Sequence, residues 1–120
     1  MNDQQAHYEK KLAYEIDSWD LRVALKRGED VTVIDARSRE AFKAERIAEA
    51  INIPHREMHE ESTAGVSKDS LVVCYCDGIG CNASTKGALK MLKLGFRVKE
   101  LIGGLDWWKR DGHPTEGEEA

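Results

Sequence analysis

Cysteine is concentrated in one stretch of the sequence, Cys74-Tyr75-Cys76-Asp77-Gly78-Ile79-Gly80-Cys81. The thiolate is the nucleophilic form of cysteine, and it forms most easily where the surroundings are electropositive. Gly78 and Gly80 can take φ > 0, which would let successive backbone N–H groups converge. The helical pattern that follows adds unpaired N-terminal donors and the positive end of its dipole. A thiol placed there is expected to ionise readily. Cys76, closing an apolar run, and Cys81, at the start of the helix, are the candidate nucleophiles. Asp77, Gly78, Ile79, Gly80, Cys81 and Asn82 form the candidate anion-binding loop. Cys74, inside the run, reads as a small buried residue.

Other chemistries fit poorly. Three clustered cysteines do not make the spread, even-numbered framework of a secreted disulfide protein, so reduced thiols and a cytoplasmic location are expected. His7, His55, His59 and His113 lack finger-like spacings from the cysteines, and no metal is expected. His55 and His59 are four apart, but no glutamate follows His55, so they read as surface or loop residues. A net charge of −4 with scattered basic residues gives no reason to expect nucleic acid or a membrane surface as partner. The apolar run Leu71 to Cys76 is far too short to span a bilayer, and the N-terminus lacks a signal-peptide layout.

Alternating strands and helices must hold the thiols. Residues 1–13 read as a peripheral extension, helical but without a clear cap, and residues 14–116 as one domain. Tyr14-Glu15-Ile16 suggests a short edge strand. Asp17 or Ser18 then caps a helix expected to turn Trp19, Leu21, Val23 and Leu25 inward. Val31 to Asp35 is a β-branched run of buried-strand type, and Ser38 caps a helix through Phe42. Ala50-Ile51-Asn52-Ile53-Pro54 is a third short strand, and 60–69 a connecting loop. Leu71 to Tyr75 is the central strand, Ala83 to Leu94 a helix closed at Gly95, and Arg97 to Ile102 a half-covered strand. Gly103-Gly104 turns into a last helix with Trp107 and Trp108 as core-capping residues. The acidic chain from His113, including 117–120, is expected to fray. This order predicts an α/β fold, an open parallel five-stranded sheet with helices on both faces and ligands at the carboxyl ends of its strands.

From Tyr14 to Glu116 the chain resembles a single-domain rhodanese. The resemblance is carried by Val31-Thr32-Val33-Ile34-Asp35-Ala36-Arg37 with Glu40 and Phe42, by Ala50 to Pro54, by Cys76 after the apolar strand, and by Leu101-Ile102-Gly103-Gly104-Leu105-Asp106-Trp107-Trp108. It implies a sulfurtransferase without cofactor. Cys76 would take the outer sulfur of a donor such as thiosulfate as a persulfide and pass it to cyanide or a thiol, including a thiol on a protein. Loop N–H groups from Asp77 to Cys81 would stabilise the anions, as an oxyanion hole does. The loop departs from the family's six residues, carries no arginine and adds Cys81. Lys86 is the candidate replacement charge; Asp35, Arg37 and Arg46 are further candidate pocket residues.

Three other readings remain open from the residues alone. One is a thiol–disulfide carrier using Cys76 and Cys81. Another is a non-catalytic binding or regulatory module. A phosphatase-like oxyanion site is disfavoured, because lysine is a poor substitute for arginine's bidentate fork.

Overall fold

β-branched and apolar runs of about five residues, separated by capped amphipathic stretches, fold into alternating units. The computed structural model describes residues 2–120, and in it the chain runs α1 (Asp3–Tyr14), β1 (Glu15–Ile16), α2 (Ser18–Lys26), β2 (Val31–Asp35), α3 (Arg39–Ala44), β3 (Arg46–Ile47) and β4 (Ile51–Asn52). It continues through a 3-10 turn at His55–Glu57 to β5 (Leu71–Tyr75), α4 (Ala83–Lys93), β6 (Arg97–Leu101), α5 (Gly104–Arg110) and β7 (Thr115–Glu116). The main sheet has five parallel strands in the order β1-β6-β5-β2-β4, so β5 is central. Its register with β2 sets Ile34 beside Cys74 and Asp35 beside Tyr75.

Alternation along the strands divides the core in two. Val33, Val73, Tyr75 and Leu101 face one side and pack with Leu21 and Trp108. Ile34, Val72 and Cys74 face the other and pack with Met91 and Phe96. Each fully buried large apolar side chain contributes about 1.5–3 kcal/mol of transfer free energy, which anchors the strand that ends at Cys76.

Four local expectations are corrected. The extension has a cap, since Asn2 Oδ1 accepts from Gln5 N–H at 2.8 Å. On α2, Leu21 and Ala24 are buried while Trp19 and Val23 are exposed, because a one-sided helix can turn only one stripe inward and Trp19 lies at its rim against the His113 ring. Of the paired tryptophans only Trp108 is buried; Trp107 lies partly exposed under Arg110. The acidic tail is tied down. His113 is buried beside Trp108, β7 pairs antiparallel with β3, and the N–H groups of Glu118 and Glu119 donate to Lys43 O and Ala44 O.

Gly104 sets the distance between α5 and the cysteine loop. It sits at φ +57, and a Cβ there would collide with the Cys76 carbonyl oxygen and lie 2.9 Å from Gly78 N. The close approach lets Leu105 N–H donate to Cys76 O at 2.9 Å and Asp106 N–H to Asp77 O at 2.8 Å. Gly104→Ala is therefore expected to destabilise the fold by about 2–3 kcal/mol, from left-handed strain and overpacking against backbone that cannot move aside. Urea unfolding measures this, and a loss within experimental error would show that α5 can slide away from the loop.

Candidate active site

β5 delivers Cys76 at its carboxyl end, beneath the loop and beside the first turn of α4, where its side chain is 1% exposed. Cys81 N–H closes a turn onto Gly78 O at 3.1 Å. That turn points carbonyl oxygens at the sulfur: Cys76 Sγ lies 3.1 Å from Cys81 O and 4.0 Å from Gly78 O. Ser84 Oγ is 3.3 Å away. Gly78 and Gly80 do not take positive φ, so the expected convergence of loop N–H groups is absent from this geometry. Gly78 instead serves close packing, since a Cβ there would sit 3.3 Å from Asp106 Cβ. The thiol is correspondingly not activated. Burial pushes its pKa up and the neighbouring Cys81 adds to this, against the lowering effect of Ser84.

Ser84 and Glu100 were not singled out by the sequence. Ser84 is buried, and its hydroxyl donates to Glu100 Oε2 at 2.7 Å; Thr85 Oγ1 donates to the same oxygen at 2.7 Å. While the Ser84 proton is held by Glu100, its oxygen accepts from the thiol; a thiolate needs that hydroxyl turned toward sulfur. Glu100 thus competes with the Cys76 thiolate for one proton. Glu100→Gln weakens the competitor and should raise alkylation of Cys76 at neutral pH several-fold, whereas Ser84→Ala removes the donor and should slow it. In either protein the rate should climb with pH to a midpoint above that of a free thiol, because folding holds the proton on. Iodoacetamide kinetics in a Cys81→Ser background check this; equal rates for the two variants would separate Ser84 from the thiol's ionisation.

Asp35 and Arg37 form a buried pair. Arg37 Nε lies 3.0 and 3.1 Å from the two Asp35 carboxylate oxygens, Nη2 lies 2.7 Å from Oδ2, and Tyr75 Oη donates to Oδ2 at 2.8 Å. The other end of the guanidinium reaches the loop, with Nη1 3.0 Å from Asp77 Oδ1. Burial opposes the Arg37 charge, but its hydrogen bonds and attraction to Asp35, with Asp77 added, raise its pKa. Burial, and then the Asp35 charge, raise that of Tyr75. Arg37 therefore tethers the first loop residue to the sheet. Arg46 is not brought to the loop: it lies on the β3–β7 ribbon, over the Phe42 ring and 3.9 Å from Glu116. Asn82 precedes α4 without a side-chain cap, and Ile79 is exposed at the loop tip. Lys90 Nζ donates to His55 O at 2.7 Å, and the pKa of His55 is lowered by burial and then by the charges of Lys90, Lys86 and Arg56. His55 and Arg56 share a cavity of about 390 Å³ with Ala36 and Arg37, at the carboxyl edge of the sheet.

Comparison with known proteins adds independent findings. A family model described as Rhodanese-like domain matches residues 20–111. The thiosulfate sulfurtransferase GlpE of Coxiella burnetii is 34% identical over 102 residues, covering 83% of this chain and 87% of that protein. The crystal structure of the BH2092 protein from Bacillus halodurans superposes with a TM-score of 0.92 at 44% identity, covering 98% of this chain and 88% of that one. The HTH-type transcriptional regulator Rv0324 of Mycobacterium tuberculosis is 33% identical over 87 residues, 72% of this chain but 38% of that protein.

Proposed function

The chain belongs to the rhodanese-like domain family, and from that premise we propose that it is a sulfurtransferase whose sulfur carrier is Cys76. The observation that carries the reading is the thiol itself, held at the end of the central strand between a glycine-containing loop and the first turn of α4. Cys76 thiolate attacks the outer sulfur of thiosulfate, the donor's S–S bond breaks, and sulfite leaves with the electron pair. Cyanide or a thiol then attacks the terminal sulfur of the persulfide, and the Cys76 thiolate is regenerated. Lys86, Lys90 and Arg56, whose charges act on His55 beside the carboxyl end of β2, are the candidate cations that draw the anionic donor. Loading requires the Gly78–Cys81 turn to move so that N–H groups replace carbonyls at the sulfur. Gly80 has open space around it to allow this. The cycle uses reduced thiols, as a cytoplasmic setting supplies, and no cofactor.

The second reading is a non-catalytic rhodanese-like binding module. It is favoured by the carbonyls facing Sγ and by the raised thiol pKa. Thiocyanate formation from thiosulfate, and separately from polysulfide, distinguishes the two. Turnover above background with either donor supports the enzyme; none with both, in a folded protein, leaves the module.

A further inference from the structure

The persulfide that this site would carry has an unusual neighbour. The Gly78–Cys81 turn places the Cys81 backbone oxygen 3.1 Å from Cys76 Sγ, so that the two thiols flank one short loop. Their accessibilities differ: Cys76 is buried, whereas Cys81 is half-exposed and lines a cavity of about 420 Å³ with Ser84, Thr85, Glu100 and Gly103. The third thiol is no rival. Cys74 is fully buried in the core face with Ile34 and Met91, and burial, followed by the Glu100 charge, pushes its pKa up to about 12. All three cysteines are free.

The loop also gives a persulfide little to hold it. A persulfide anion needs donors, and the nearest loop groups around Sγ are carbonyl oxygens. A short loop with glycines at 78 and 80 costs little chain entropy to close, and the space around Gly80 leaves the turn free to adjust.

We infer that Cys81 is a resolving thiol, which converts the Cys76 persulfide into an internal disulfide and discharges its sulfur as hydrosulfide. The step rests on the sulfurtransferase reading and deepens it. Cys81 loses its proton to solvent, and its thiolate attacks Cys76 Sγ. The outer sulfur of the persulfide takes up a proton from solvent, the bond between it and Sγ breaks, the new Sγ–Sγ bond forms, and HS⁻ leaves with the electron pair. The sulfane sulfur is reduced to sulfide and the two thiols are oxidised. Attack on the inner sulfur is assisted because hydrosulfide is a weaker base, and so a better leaving group, than an alkyl thiolate. An external dithiol, small or protein-borne, then reduces the disulfide and resets the protein.

The test treats fully reduced protein with one equivalent of thiosulfate or polysulfide, removes the donor, and follows released sulfide and intact mass with no thiol or cyanide present. Wild type is expected to release about one sulfide per chain and lose both reactive thiols, and a dithiol should restore them. Cys81→Ser and Cys81→Ala should instead keep the added sulfur and release no sulfide. Retention of the sulfur in wild type and variants alike overturns the resolving role while leaving the carrier in place. Loading lost only in the Cys81 variants, with their circular dichroism unchanged, makes Cys81 the carrier and also overturns it. Absence of any adduct or sulfide in every form removes the sulfurtransferase reading itself.

Discussion

Cys76→Ser should reduce thiocyanate formation from thiosulfate and cyanide to the rate without protein. The covalent route has no substitute. A serine hydroxyl at neutral pH is a far weaker nucleophile than a thiolate, and its bond to sulfur would not form a transferable sulfane. The loss should not come from unfolding, because the smaller hydroxyl finds partners in place: Cys81 O and Ser84 Oγ surround the position at 3.1 and 3.3 Å from the native sulfur. Unchanged unfolding midpoints beside lost activity would therefore assign the effect to chemistry. Residual turnover near the wild-type rate would move the carrier to Cys81 or remove covalent transfer altogether.

Arg37→Met should cost about 3–5 kcal/mol of stability, the penalty for leaving a buried carboxylate without its charged partner. Asp35 is fully buried, and the variant leaves it only the Tyr75 hydroxyl and the backbone N–H of residue 37. Against a typical total of about 5–15 kcal/mol, that is a large share of the domain's stability. Removing both charges, as Asp35→Leu with Arg37→Met, should recover part of the loss, because two apolar groups can replace a desolvated pair. The exposed link from Arg37 to Asp77 is worth little by itself, yet it fixes the start of the loop. Urea unfolding of the single and double variants measures the coupling; additive losses would contradict a mutual burial penalty.

Much of this architecture can be read from local patterns. The runs Val31–Asp35 and Leu71–Tyr75, the cap at Asp17 and the glycine after α4 each depend on residues close in sequence, and each forms as an element or boundary at that place. The features that escaped depend on groups far apart in the chain. The loop's carbonyls face the sulfur partly because α5 takes the Cys76 and Asp77 carbonyls through Leu105 and Asp106, an arrangement no loop sequence encodes by itself. Ser84 meets Glu100 only because β6 lies beside β5 and α4 packs over both. The signal available was a glutamate in the alternating pattern of β6, next in register to Cys74. The acidic composition of the tail predicts fraying, but Thr115 and Glu116 find β3, about seventy residues earlier, through a register that periodicity does not reveal.

The carrier role of Cys76 is tested most directly by intact-protein mass spectrometry of reduced Cys81→Ser after thiosulfate or polysulfide, before and after cyanide, beside the Cys76→Ser, Cys81→Ser double variant. The first protein should gain one sulfur atom, stripped by cyanide as thiocyanate, and the second should gain none. An adduct of equal yield in both proteins, or none in either with both donors, would contradict that role.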